Sequence, residues 1–290
     1  MKKYIIPVLA AFLLIGCETT VKDEGKDINT EGYTLFGVDI EALDLGSGTP
    51  STEVWAEGAR IGVFGDEAGE NAAFNLKRSD AGLSAASFYG ELVKGSSISA
   101  YAPYEDGITL DGGALPCNLP SEQAYDNGKS AEQVLKQYCP RVFASLGEDG
   151  KLHFRYPMGL LKVVFNFDEP ISITSMKLSS SKGISGRLGV LPSGEILAGA
   201  VARKDISLSF PNPTSSADTG NIPVPFWFVL PPADYAAGEL ILEVSTLDES
   251  IRVQLSETEV KRVEGKEFSI ASVEVSSTLP GFDITPGILE

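Results

Sequence analysis

Apolar residues recur at every second position in one short segment after another, and this period constrains the chain more than any other feature. Phe36, Val38, Ile40 and Ala42 alternate with Gly37, Asp39 and Glu41. Leu161, Val163, Phe165 and Phe167 form a second such face, Ile206, Leu208 and Phe210 a third, and Leu240, Leu242 and Val244 a fourth. Ile251, Val253 and Leu255 alternate with Arg252, Gln254 and Ser256. A period of two puts neighbouring side chains on opposite faces of a strand, so each segment buries one face. Loops such as Gly46–Thr52 separate the segments. One-faced strands must be covered by a second layer, which predicts an all-β chain of antiparallel β-sandwiches. Between Phe268 and Val275 the apolar register slips from Ile270 to Val273, which predicts a bulge.

One short helix stands out. Ser130-Ala131-Glu132-Gln133 has the spacing of a capping box, with Val134, Leu135 and Tyr138 at helical spacing and Pro140 after them. At 290 residues the chain has room for about two domains. The turn Glu148-Asp149-Gly150-Lys151 precedes a new run of strands. It places the division between residues 33–150 and 151–275, with a tail over 276–290.

The N-terminus sets the compartment. Lys2 and Lys3 precede a twelve-residue apolar stretch, Tyr4–Ile15, broken by Pro7. That is shorter than the roughly 20 residues of a spanning helix and reads as a secretory signal. Leu14-Ile15-Gly16-Cys17 resembles a bacterial lipobox, which implies removal of residues 1–16 and lipidation of Cys17. The segment Ile222–Ala237 contains four prolines, so it is not a span; the chain is expected to be anchored rather than membrane-crossing. Residues 17–32 are polar and acidic, a solvated tether. Within them Lys22-Asp23-Glu24 resembles a short acidic export signal of surface lipoproteins, or simply keeps the tether soluble. Cys117 and Cys139 remain. In an oxidising compartment they either join, closing a 23-residue loop, or stay as two buried thiols. On the loop-entropy account a bond would add about 3 kcal/mol.

Few residues carry chemistry. The 40 acidic against 23 basic residues give a charge of -17, which repels nucleic acid. One histidine and three cysteines are too few for a Cys/His metal site, and nothing points to a cofactor or a metal. Gly128-Lys129-Ser130 lacks the Gly at position 123 that a phosphate loop requires, because Gln123 stands there. Ser185 lacks the Gly two residues on that a nucleophile elbow requires, because Arg187 stands there. Ser179-Ser180-Ser181-Lys182 has the Ser-x-x-Lys spacing but sits in a Gly- and Ser-rich stretch. His153 alternates with Leu152 and Phe154, so it belongs to the solvent face beside Lys151 and Arg155. No catalytic residue is assigned. A glycoside hydrolase needs two placed carboxylates, and no local pattern supplies them.

Several segments in order resemble the fimbrillin family, the pilin-like surface lipoproteins of type V pili. After the lipobox comes the strand Tyr33–Ala42, then Trp55–Phe64, similar to the family's Trp-then-Ile-Gly-Val pattern. Ala100-Tyr101-Ala102-Pro103-Tyr104 resembles its aromatic-Pro-Tyr strand end, and Leu119-Pro120-Ser121-Glu122-Gln123 its Pro-x-x-Gln step before the domain crossover. Val229-Leu230-Pro231-Pro232 precedes the hairpin Leu240–Leu255. Val263-Glu264-Gly265-Lys266-Glu267-Phe268 is similar to the closing Gly-Lys-x-Tyr strand, with Phe268 at the Tyr position. The resemblance implies two transthyretin-like antiparallel β-sandwich domains and joining of subunits by strand insertion. A sandwich that lacks a strand leaves an open edge and an apolar groove, and a partner's strand fills both.

The first strand, through Phe36, Val38, Ile40 and Ala42, is the one whose removal would open such a groove. The tail supplies donor candidates in Leu279, Phe282, Ile284, Ile288 and Leu289, unless it folds back on its own domain. Polymerising members of the family are cut after a basic residue in the loop following the first strand. Here no Lys or Arg lies between Leu43 and Ala59, and Arg60 falls within the next strand pattern. The expected function is therefore a non-catalytic fimbrial component or adhesin, lipid-anchored at the outer-membrane surface, and an anchor subunit, a tip subunit or a non-polymerising relative rather than a shaft pilin. Its expected partners are other fimbrial subunits, the membrane through the anchor, and a host or bacterial surface ligand. The alternatives are a glycan-binding lipoprotein for nutrient capture, which would present a cluster of exposed aromatic residues, and a glycoside hydrolase.

Overall fold

The computed structural model describes residues 33–43, 53–65, 71–91, 93, 97–125, 129–167, 172–215, 224–246, 250–262 and 271–277. The segments read as a signal and a tether, Cys17 and the tail beyond Ser277 lie outside them. The first strands are β1 (Thr34–Ile40), β2 (Arg60–Phe64), β3 (Ala72–Leu76), β4 (Ala85–Gly90), β5 (Ser99–Ala102), β6 (Leu115–Leu119) and β7 (Glu122–Ala124). Helix α1 (Ala131–Tyr138) follows. Then come β8 (Val142–Ser145), β9 (Lys151–Phe154), β10 (Gly159–Phe167), β11 (Ser172–Ser180), β12 (Ser185–Val190), β13 (Ile196–Arg203) and β14 (Asp205–Ser215). The last are β15 (Val224–Leu230), β16 (Ala233–Tyr235), β17 (Leu240–Thr246), β18 (Ser250–Gln254), β19 (Thr258–Val260) and β20 (Ala271–Ser277). The chain is all-β with one short α-helix among the described residues, as the alternation and the capping box require.

Seven strands form one sheet in the order β8-β5-β2-β3-β4-β1-β9. Its two outer strands meet: Phe143 and Arg155 exchange backbone hydrogen bonds of 2.9 Å in both directions, and Leu146 bridges Leu152. The sheet thus curls round one core that holds Val38, Trp55, Phe74, Phe88 and Phe154. β6 and β12 add Leu119 and Leu188 to that core, and α1 adds Leu135. The second core holds Leu161, Leu178, Leu208, Phe226, Phe228 and Leu242, between the sheet β18-β17-β11-β14-β7 and the sheet β15-β10-β20. β10 and β15 serve both cores. Leu161 and Phe228 face the second, while Leu160 and Val229 face the first. Adjacent positions point to opposite faces, so one strand pair can wall two cores.

Two expectations are corrected here. The division at 150/151 falls inside the seven-stranded sheet. Residues 147–150 are a hairpin turn, with Gly147 N–H on the Lys151 carbonyl at 2.8 Å, and Gly150 has φ +76°, a left-handed conformation that glycine adopts without strain. β9 and the following Tyr156 and Met158 belong to the first core. Second, pairing is not purely antiparallel: β1–β9, β7–β14 and β10–β20 run parallel. Parallel neighbours need a crossover, and each of these pairs is far apart in sequence. The bulge expected between Phe268 and Val275 begins at residues outside the described ones; from Ala271 to Ser277 β20 pairs with β10 in unbroken register, and β11 has a register shift between Ile173 and Ser175.

The Ile-Gly-Val pattern of β2 has a steric cause. Gly62 sits opposite Tyr101 of β5, and a Cβ there would collide with the Tyr101 ring. That ring is held from the far side: its hydroxyl donates to the Glu105 carbonyl at 2.8 Å and accepts from Glu105 N–H at 3.2 Å. The aromatic and the glycine are two halves of one packing contact.

Candidate assembly interface

β1 is the element on which strand exchange would act. Its buried side chains are Phe36, Val38 and Ile40, while Leu35 is 54% exposed. Ala42, expected on the same face, lies beyond the strand and is only half-buried, and Leu43 is buried instead. The alternation breaks there because the strand has ended. β1 is not an edge. It pairs antiparallel with β4 from Thr34 to Asp39 and parallel with β9 from Gly37 to Ile40. Taking it out would break a ladder on each side and open a sheet that otherwise closes on itself.

A charged latch reinforces the β9 side. His153 Nδ1 lies 2.8 Å from Asp39 of β1, and His153 Nε2 lies 3.1 Å from Asp149 of the preceding turn. The reading of His153 as a solvent-face residue holds, but its partner Asp39 is 114 residues away and no local spacing reveals it. The hydrogen bond to Asp39, with that to Asp149, raises the imidazole pKa above its ordinary 6.5 despite some desolvation. A raised pKa means that the folded state binds the proton more tightly than the unfolded chain. The extra stability is complete below about pH 6.5 and fades as pH rises through the folded pKa. Because the pair is largely exposed, it amounts to no more than about 0.5 kcal/mol. Asp39→Asn is expected to flatten urea-midpoint against pH between about 5.5 and 8, and an unchanged profile would remove His153 from the account.

The chain is pinned again from Glu53 on. Glu53 Oε1 accepts from Tyr156 Oη at 2.6 Å and meets Lys136 Nζ of α1 at 2.8 Å. Lys136 also meets Glu132 one turn earlier at 2.6 Å. Burial opposes the Lys136 charge, but hydrogen bonds to Glu132 and Glu53 hold its pKa above the ordinary lysine value. Burial, with Glu53 beside it, pushes the Tyr156 hydroxyl up as well. Two residues on, Trp55 is buried edge-to-face on Phe88 and Phe154, with centroids at 4.9 and 5.3 Å. The sequence marks Trp55 and leaves the Glu53–Lys136–Tyr156 cluster hidden, because its members share no period. Arg60 opens β2, paired with Asn75, and stacks on the Tyr104 ring at 4.4 Å.

α1 forms as its sequence dictates. Ser130 Oγ accepts from Gln133 N–H, Gln133 Oε1 accepts from Ser130 N–H, and Ala131, Val134, Leu135 and Tyr138 are buried. Cys117 of β6 and Cys139 at the helix end are both buried free thiols, so the expected disulfide is not present. They are nonetheless neighbours: the Cys117 thiol beside it, together with burial, drives Cys139 well up. The donor candidates Leu279, Phe282, Ile284, Ile288 and Leu289 fall outside the described residues, as does Cys17.

Sites for the alternative readings are thin. Tyr33 is the one exposed large aromatic among the described residues, and Trp227 lies against the first core. Among the described residues the carboxyl groups whose pKa is displaced, Asp80, Asp149 and Glu239, are displaced downward. A general acid requires the opposite. Among the described residues no group of three or more His, Cys, Asp or Glu could hold a metal ion, and no helix is long and apolar enough to cross a membrane.

Comparison with known proteins places fimbrial and cell-adhesion proteins beside this chain. A putative cell adhesion protein from Bacteroides ovatus has 15% identity and a TM-score of 0.49, covering 87% of this chain and 95% of its own. The tip fimbrial protein Mfa3 from Porphyromonas gingivalis, with a C-terminal truncation, has 11% identity and a TM-score of 0.42 over 86% of this chain and 96% of its own. A fimbrial assembly protein from Parabacteroides distasonis has 13% identity and a TM-score of 0.40 over 86% and 92%. No family model and no curated protein matches the chain.

Proposed function

We propose that the chain is a lipid-anchored fimbrial subunit or adhesin of the cell surface, standing at an end of a pilus rather than within its shaft, and non-catalytic. The observation that carries the reading is the placement of β1. It is paired along both edges, with Phe36, Val38 and Ile40 buried and Asp39 tied to His153. A donor strand cannot occupy sites that a resident strand fills, and expelling the three side chains would cost roughly 1.5–3 kcal/mol each. The ordered fimbrillin-like segments of the sequence support the pilus class. Arg60, the first basic residue after β1, lies in a paired strand and is poorly placed for cleavage. On this reading the tail beyond Ser277, with Leu279, Phe282, Ile284, Ile288 and Leu289, is the segment that donates to another subunit.

Two measurements test this. Cys17→Ser should leave the protein unprocessed or release it from the membrane fraction, and intact lipidation of the variant would end the anchoring claim. Treatment of the folded protein with an Arg-specific protease should leave β1 in place and yield no filaments by electron microscopy. Filaments after loss of the residues through β1 would make the chain a shaft pilin.

A further inference from the structure

The three-stranded sheet β13-β12-β6 ends on β13. Among the described residues no strand pairs with the far edge of β13. Protected edges carry a central charge, a proline or a bulge, or are covered. β13 has neither charge nor proline between Ile196 and Ala202, where it reads Ile-Leu-Ala-Gly-Ala-Val-Ala, and the bulge at its centre is the one such device it carries. Leu197 is 38% and Val201 68% exposed, two of the six exposed large apolar residues of the described chain. Ala198 and Ala202 together cover Gly183. The odd-numbered residues therefore form the other face, where Glu195, Gly199 and Arg203 are also exposed.

The order of residues along this strand is self-complementary. Antiparallel pairing with an identical strand about Gly199 sets Leu197 against Val201 of the second copy, and Glu195 against Arg203. Every apolar residue then meets an apolar one and each charge meets its opposite, the pairs that stabilise adjacent strands. The surroundings are permissive: from Lys182 to Asp205 four basic residues face two acidic ones, in a chain of net charge -17. The register with β12 shifts at Gly199–Val201, three residues that lie against Arg187 alone, a bulge at the centre of β13.

We infer that two copies of this chain join through β13 as an isologous pair, antiparallel and centred on Gly199, making one sheet across both copies. A two-fold contact of this kind uses up the only edge it needs and stops at two. It is thus independent of the end-of-pilus reading, and the two fail separately: this one by loss of the dimer, the other by appearance of filaments after protease treatment.

Cross-linking on the axis is the test. Residues directly opposite in an antiparallel pair have Cα atoms about 4.5–5.5 Å apart, within the range of a disulfide. A Cβ at Gly199 meets only the Arg187 carbonyl, at 3.5 Å, so cysteine fits without disturbing the fold. Full-length Gly199→Cys in membranes, oxidised and run without reductant, should give a band at twice the monomer mass. Ser193→Cys in the turn before β13 and the unsubstituted chain, which keeps the native cysteines, should not. In the Gly199→Cys background, Arg203→Glu should reduce the dimer band several-fold, and adding Glu195→Arg should restore it. Restoration by the charge swap separates pairing from misfolding. Cross-linking no stronger than at Ser193, cross-linking to proteins of other mass, or a swap that fails to restore the band would each overturn the inference.

Discussion

Val38→Asp is expected to prevent the first core from forming. Val38 is 2% exposed at the centre of β1, with Ala86 of β4 on one side and Leu152 of β9 on the other. An aspartate there must be buried without a partner, or the strand must slip. A slip of one residue would turn Leu35, Gly37 and Asp39 inward and put Phe36, Val38 and Ile40 in water. Neither escape is cheap. The lost valine and the desolvated carboxylate together cost about 5 kcal/mol or more, which rivals the whole stability of a typical domain. Leu35→Asp, on the exposed face of the same strand, should change stability by no more than about 0.5 kcal/mol. Urea unfolding of the two variants beside the parent checks both statements. A folded Val38→Asp protein with the parent's midpoint would show that β1 does not fill this sheet.

The same strand shows what a sequence read alone can supply. Phe36, Val38 and Ile40 are legible because a period of two is a local consequence of pleating. The end of the pattern is not: Ala42 is apolar and in phase, yet Leu43 is the residue that is buried, because the strand stops at Ile40. The helix is fully legible, since a capping box is satisfied by residues three apart. What escapes is everything fixed by residues far apart in the chain. His153 finds Asp39, Lys136 finds Glu53, and β9 lies parallel to β1. The turn at Gly150 has the composition of a linker, but a hairpin and a linker draw on the same residues, and only the partner of β9 distinguishes them. The cysteines illustrate the reverse. Their proximity across the helix is foreseen by treating them as a pair, whereas their oxidation state follows from the compartment and not from position.

Gln123 is the residue whose role the sequence conceals most, and its loss is expected to be the second large effect. It fills the place where a phosphate loop would have glycine, and it is 1% exposed. Its amide donates to the Val229 carbonyl at 2.9 Å and accepts from Val229 N–H at 3.1 Å. Val229 lies on β15, at the end of its three-stranded sheet, and its side chain belongs to the first core while its neighbours Phe228 and Leu230 belong to the second. The glutamine thus does for one residue what an adjoining strand would do, just where the two cores meet. Gln123→Met keeps the volume and removes both bonds. It leaves a buried N–H and a buried carbonyl unpaired, at about 1–3 kcal/mol each, so a loss of roughly 2–5 kcal/mol is expected. Gln123→Glu gives a sharper signature. Its carboxyl can replace the amide only when protonated, because an ionised oxygen would face the Val229 carbonyl. Burial would therefore raise its pKa above the unfolded value near 4.3. The folded state then holds a proton that the unfolded chain releases, so the stability of this variant should fall as pH rises from about 4 to 7 relative to the parent. Denaturant titrations at several pH values decide it. A Gln123→Met protein as stable as the parent, or a Gln123→Glu protein whose pH profile parallels the parent's, would mean that Val229 is satisfied by other means.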